Sequence, residues 1–184
     1  DNPIALPPIH IEEPTVQMLF AINTSPFAGK EGQYSTARHL KERLEREILN
    51  DVALKVEPMR GSDSSFIVSG RGELHLAILI EKMRREGYEL EVGKPKVILK
   101  EENGKTLEPF EDVYIECPEQ FSGIVIEKIG RRKGEIQDMR QDNGTAYIHF
   151  LVSTRGLIGY RSEFLTDTKG EGIINTLFHD YKPY

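Results

Sequence analysis

Twice along this chain the spacing of apolar residues runs through the same sequence of periods: alternation, helix, alternation twice, helix, alternation. Residues 15–22 alternate in part and read as a strand, and Ser25-Pro26 with Gly29 to Gly32 makes a loop. From Ser35 onward Ala37, Leu40, Leu44 and Ile48 recur at helical spacing. Arg38–Glu42, Glu42–Arg46 and Arg43–Glu47 are i,i+4 pairs expected on the wet side of that helix. Two short strands, 52–58 and 64–70, follow around Arg60-Gly61-Ser62-Asp63. A second helix then runs to Glu86 with Leu74, Ala77, Ile78 and 80–83 as its buried side, and 88–92 closes the unit. The second half repeats the order: a strand at 112–117, a helix opened by Pro118, and strands 134–142 and 145–153 meeting at Asp142-Asn143-Gly144. One helix from Thr154 carries Leu157, Tyr160 and Phe164 on one face, and a last strand spans 173–181.

An order of β-α-β-β-α-β places two helices on one face of a four-stranded antiparallel sheet, the split βαβ or ferredoxin-like plan. The chain is therefore expected to be α+β, two ferredoxin-like sandwiches in tandem: 15–94, a connector at 95–110 with a turn at Asn103-Gly104, and 111–184. Residues 1–14, with Pro3, Pro7, Pro8 and Pro14, read as a linker. With no initiator Met, that start points to a piece of a longer chain.

Composition removes several classes of function. One cysteine, Cys117, excludes an internal disulfide framework and a multi-cysteine zinc site, and its apolar strand reads as a buried position. No apolar run approaches the roughly 20 residues of a membrane span, and no secretion signal opens the chain. Asn23-Thr24-Ser25 and Asn143-Gly144-Thr145 therefore carry no weight as glycosylation sequons. The five histidines stand singly, with no helical ligand spacing between them. Gly29-Lys30 lacks both the preceding glycine and the following Ser/Thr of a phosphate-binding loop, so no nucleoside triphosphate site is expected. Gly70-Arg71-Gly72 begins like a dinucleotide fingerprint, but His75 stands where the third glycine belongs.

What remains is charge. Lysine and arginine number 24 against 30 acidic residues, a formal charge of −6, which argues mildly against a dedicated nucleic-acid binder. Net charge says nothing of local patches, however. Lys128, Arg131, Arg132 and Lys133 end one helix, Arg140 follows on the next strand, and Arg155, Arg161 and Lys169 surround the second helix of the same unit. Such a cluster can compensate a helix C-terminus or meet phosphates.

The stretch Gly70-Arg71-Gly72-Glu73-Leu74-His75-Leu76 resembles domain III of the translational GTPases, the elongation factor G superfamily. Glu13-Pro14-Thr15, Asn23-Thr24-Ser25-Pro26-Phe27-Ala28-Gly29, Met83-Arg84-Arg85-Glu86-Gly87-Tyr88-Glu89-Leu90, and 155–166 beginning Arg155-Gly156-Leu157-Ile158-Gly159-Tyr160 sharpen the likeness. Together they are similar to the TypA/BipA branch rather than to LepA or elongation factor G itself. The resemblance covers nearly the whole chain. It implies domains III and V of a cytoplasmic, ribosome-dependent GTPase, with Gly70 to His75 a structural motif. The G domain with its GTP and Mg, domain II and a branch-specific C-terminal domain would lie outside this chain.

Elongation factor G carries a domain IV between III and V. Here 95–110 is too short for one, which points away from translocation. The implied partners are rRNA and ribosomal proteins at the factor-binding site. The implied roles are ribosome assembly, translation regulation, and stress or virulence responses. In the family, domain V reaches the large subunit and domain III faces the small subunit and G domain. No catalytic residue, metal or cofactor is expected within the chain itself. Two other readings stand beside this one: tandem modules binding a small metabolite, and an acylphosphatase-like enzyme. The second would need an arginine in an anion-cradling loop after the first strand, with an asparagine facing it, and neither half offers that persuasively.

Overall fold

The computed structural model describes residues 13–184, so the proline-rich segment expected to be a linker falls almost wholly outside the described residues. The chain divides into two compact units between Pro95 and Lys96. Each is an antiparallel sheet covered on one face by helices.

In the first unit β1 (Val16–Ile22) leads to α1 (Ala37–Asn50), β2 (Lys55–Pro58), β3 (Ser65–Gly70), α2 (Glu73–Arg85) and β4 (Leu90–Val92). The sheet order β2-β3-β1-β4 is the one the sequence order demands. Val16, Met18 and Phe20 of β1 and Phe66 and Val68 of β3 point to the helices, where Leu40, Leu44, Leu76, Leu79, Ile80 and Met83 complete the core. Burying side chains of this kind contributes about 1.5–3 kcal/mol each.

Thr36 caps α1, its hydroxyl accepting the His39 N–H. The expected buried side of α2 is corrected. Leu76, Leu79, Ile80 and Met83 face the sheet at i, i+3, i+4, i+7, leaving Leu74 and Ile78 exposed. Leu74 and Ile78 form a second apolar stripe four residues apart, and spacing alone does not say which stripe meets the sheet.

The i,i+4 pairs of α1 are corrected too. Arg38–Glu42 lies in solvent as expected, but Arg43 is buried. Its guanidinium donates to Glu47 of its own helix at 2.6 Å and through Nη2 to Glu86, just past α2, at 2.9 Å. Both glutamates are held below the usual carboxylate range. For Glu86 the hydrogen bond from Arg43 leads, while for Glu47 burial works upward and is outweighed by Arg43 and Lys82. Arg43 thus joins the two helices where the sequence suggested a solvated face.

In the second unit β5 (Lys96–Val97) and β6 (Lys100–Glu102) precede β7 (Lys105–Pro118), α3 (Glu119–Arg131), β8 (Glu135–Asp142), β9 (Thr145–Ser153), α4 (Thr154–Leu157), α5 (Tyr160–Asp167) and β10 (Ile173–Pro183). The sheet order is β10-β7-β9-β8, the same plan again, with β6 pairing the start of β7 through the Asn103-Gly104 turn. Val113, Ile115, Cys117, Ala146, Ile148, Phe150 and Val152 face α3 and α5, against Val125, Ile129, Tyr160 and Phe164. Cys117 is inside that core, and burial raises its thiol pKa.

The hairpin at Asn143-Gly144 forms as expected, with φ of 49° and 78°, the left-handed pair that a tight two-residue turn requires. Two expectations are corrected. The strand at 112–117 begins at Lys105 and runs 14 residues, because β10 pairs with it from Leu107 to Glu116. The single helix from Thr154 is broken into α4 and α5 at Gly159, whose φ is 76°. Among the described residues no helix is long and apolar enough to cross a membrane.

Candidate nucleic-acid interface

The cations singled out in the second unit do different things. Lys128 turns inward between Glu163 and Asp167 of α5, at 2.8 Å from each. Arg132 does more. Its Nη1 donates to the Gly156 carbonyl at 2.7 Å and the Ile158 carbonyl at 3.1 Å, and its Nη2 to Glu163 at 2.9 Å. Those carbonyls are ones that the break between α4 and α5 leaves without helical partners, so Arg132 supplies the donors. Hydrogen bonds from Lys128 and Arg132 hold Glu163 below the usual carboxylate range. Arg155 forks onto the buried carboxylate of Glu108 with two contacts of 2.9 Å, and Arg161 donates to the Ile174 carbonyl. These four cations are tied into the fold.

The remaining four are exposed, and they do not converge. Arg131 pairs with Glu127 one turn back on α3, and Lys133 stands beside it in the turn to β8 with φ of 61°. Lys169 lies over the Phe121 ring at the start of α3, whereas Arg131 ends that helix, about 15 Å on from Phe121 by helix rise. Arg140 lies on the opposite side of the sheet altogether, its guanidinium 4.3 Å from the centroid of the Tyr147 ring. The structure therefore brings together Arg131 and Lys133, and separates Lys169 and Arg140 from them.

The motif Gly70 to His75 forms the junction from β3 into α2. His75 accepts the Arg71 N–H at Nδ1 and meets Asp51, the residue capping the end of α1, through Nε2. With Nδ1 accepting, the ring proton sits on Nε2 and donates to the Asp51 carboxylate. A side chain at Gly70 would lie 2.8 Å from the His75 ring, so the close approach requires glycine there. Thr15 accounts for part of Glu13-Pro14-Thr15, its hydroxyl donating to the Arg71 carbonyl at 3.0 Å. Glu89 accounts for the loop at 23–32. Its carboxylate accepts the N–H groups of Gly29 and Glu31 and the Asn23 amide. These family-like motifs are held by internal hydrogen bonds and present no reacting group.

Sequence reading passed over the other face of the second sheet. Asp112, Tyr114 and Glu116 of β7 and Tyr147 and His149 of β9 alternate with the core residues and so point away from the helices. Tyr114 pairs with His149 in register, and their rings stack 4.5 Å apart at 11°. Asp112 accepts from His149 Nε2 at 2.7 Å and from His179 Nδ1 at 2.8 Å. Burial pushes its carboxyl up, and those two hydrogen bonds outweigh it, leaving it below the usual range. The signal was available: once 112–117 and 145–153 are strands, every second residue must point to the uncovered face.

Comparison with known proteins fits this architecture. Residues 105–184 match the family model described as elongation factor G C-terminus, so the second unit is of that class. Over all 184 residues the chain is 54% identical to the "Large ribosomal subunit assembly factor BipA" of Bacillus subtilis and 50% identical to the protein of that name in Synechocystis. It is 51% identical over 181 residues, 97% of the chain, to a chloroplastic protein of Arabidopsis thaliana described as elongation factor TypA-like SVR3. The chain belongs to the TypA/BipA family, within the elongation factor G superfamily. It spans 30%, 31% and 27% of those relatives' own lengths. A crystal structure of a Thermus thermophilus protein aligns over 97% of this chain and 42% of its own, with a TM-score of 0.60 at 16% identity, a likeness of fold.

Proposed function

We propose that this chain is the domain III and domain V portion of a TypA/BipA-type translational GTPase, a ribosome-contacting body without nucleotide chemistry of its own. On this reading 1–14 leads in from an upstream domain, 15–94 is the domain III-like unit, 95–110 the connector and 111–184 the domain V-like unit. The observation that carries it is identity of 50% or more along the entire chain to proteins named large ribosomal subunit assembly factor BipA. GTP, Mg and the hydrolytic residues belong to the parent beyond this chain, in the cytoplasm. The parent's part in large-subunit assembly, translation regulation and stress or virulence responses belongs to the same proposal.

Within the second unit the geometry supports a division of labour among the cations. Lys128, Arg132, Arg155 and Arg161 have their donors committed to carboxylates and carbonyls, and act by holding α3, α4, α5 and the sheet in place. Arg131 and Lys133 offer charge to rRNA phosphates, recognising backbone rather than sequence. Lys169 and Arg140 supply further, separate points of contact.

The test is co-sedimentation of the full-length factor with ribosomes across a salt series. Charge reversal at Arg131 and Lys133 is expected to weaken association and to flatten the log–log salt dependence by about one unit for each phosphate that is no longer neutralised. Unchanged binding and slope would remove this pair from the interface.

A further inference from the structure

We propose that the open face of the second sheet is a stacking platform for an unpaired base of single-stranded RNA. The proposal rests on the reading of this unit as an rRNA-contacting body, and specifies a mode of contact that its exposed cations do not supply.

In a four-stranded sheet with helices on one face, rings on the two central strands of the other face are where sheet-based RNA modules stack bases. β7 and β9 are the central strands here, and they carry Tyr114 on one and Tyr147 and His149, two residues apart, on the other. The core uses the opposite face of both strands, so packing does not require these rings.

Tyr114 and His149 already stack face to face, and Tyr114 keeps 44% of its surface in solvent. The hydrogen bond from His149 Nε2 to Asp112 fixes that ring's plane. Arg140 lies over Tyr147, adding a cation beside the ring surface. These side chains line a depression of about 280 Å³ together with Glu116, which pairs with Tyr147 on the central strands, and with Asp138 and Asn175 on the flanking strands. That volume is near the lower limit of roughly 300 Å³ for small-ligand sites, matching a single planar group rather than a folded RNA element.

Carboxylates in the lining disfavour a phosphate track across the face, but accept hydrogen bonds from exocyclic amines, and an asparagine amide both donates and accepts. Binding should therefore come from ring stacking and edge contacts, with weak dependence on salt. Phosphate contact at Arg131 and Lys133 has the opposite signature.

The experiment titrates this chain with labelled single-stranded RNAs of about eight nucleotides, homopolymers of U, C and A, and with a base-paired hairpin, at two salt concentrations. Single strands are expected to bind and the hairpin to bind more weakly. Tyr114→Ala should weaken single-strand binding by about tenfold without changing the salt slope, and Tyr114→Phe should retain it. Thermal melts establish that both variants stay folded.

The idea is overturned by Tyr114→Ala binding within twofold of the parent, by equal affinity for the hairpin, or by no saturable single-strand binding at about 100 μM. It is equally overturned if sedimentation shows a dimer that Tyr114→Ala dissociates, since a second copy would then own the face. Ribosome association lost on reversing Arg131 and Lys133, with no effect of Tyr114→Ala on RNA binding, would remove the platform and leave the broader reading standing. Indifference to both sets of changes would remove both.

Discussion

The two units share one topology and solve different problems with it. The first joins its helices through a buried arginine, Arg43, shared by Glu47 and Glu86. The second joins them through Lys128 and Arg132 at the partly exposed edge of α3, meeting Glu163 and Asp167, with Tyr160 and Phe164 packed beneath. Their uncovered faces differ more. Gln17, Leu19 and Ala21 pair with Ser69, Ile67 and Ser65 in the first, so that no ring of the central strands lies on the face away from the helices. The second presents Tyr114, Tyr147 and His149 at the comparable strands. Only the helix-facing half of each strand is needed to specify the fold, so the other half is free to carry function.

The largest expected effect tests the buried arginine. Arg43→Met should destabilise the first unit by about 3 kcal/mol, because Glu86 loses its guanidinium partner and Glu47 is left with Lys82 alone. Hydrogen exchange should show the loss confined to α1, α2 and the first sheet. Equal loss of protection in the second unit would show that the two unfold as one block, and would dissolve the comparison.

Next, Arg132→Ala should cost the second unit about 1–3 kcal/mol, since the Gly156 and Ile158 carbonyls lose their donors. Urea melts followed at α4 and α5 would measure it. Indifference there would mean that water replaces the guanidinium fully.

A pH experiment separates the units further. Burial raises the Glu111 carboxyl in β7 above its ordinary value. Its contribution to stability is therefore complete below the ordinary carboxylate range of about 4 and is lost as pH rises through its folded value. Glu111→Gln should melt higher than the parent at neutral pH, and the advantage should vanish near pH 4. Glu47 and Glu86 of the first unit, held low, stabilise above that range and lose their effect in acid. A Glu111→Gln advantage independent of pH would show that ionisation is not its source.

The smallest effect is the sharpest control. Arg38→Ala, five residues before Arg43 on the same helix, removes a pair that lies in solvent and should leave the melting temperature unchanged. A measurable loss would mean that exposure is a poor guide to which arginines matter in α1.

The fold was largely legible because its signals are local. Period changes marked nearly every strand and helix, and Asn143-Gly144 and Asn103-Gly104 marked their hairpins by turn chemistry. What was not legible depends on partners distant in sequence. Arg43 looks like one of several alternating charges until Glu86, 43 residues on, is placed beside it. The break at Gly159 is stable because Arg132, from a different helix, caps the exposed carbonyls, and no local pattern announces that. The cluster of eight cations was legible as composition but not as a surface. Half of it turned out to be bound internally, since a side chain's nearest acceptor is a matter of packing. The aromatic face lay within reach of simple alternation, a signal that charge patterning does not register.

His179 shows how a single residue can reorganise a strand's far end. The register of β10 against β7 shifts between Phe178 and Asp180, making His179 the extra residue of a bulge whose ring meets Asp112. A bulge also changes parity. Beyond it odd-numbered residues take the side that even-numbered ones held before, which is why Phe178 and Tyr181, three apart, bring their rings within 5.6 Å. Deleting His179 would restore a straight ladder and leave Asp180 to Pro183 on the faces they hold now, opposite Phe110 to Leu107, at the cost of the imidazole that Asp112 accepts from.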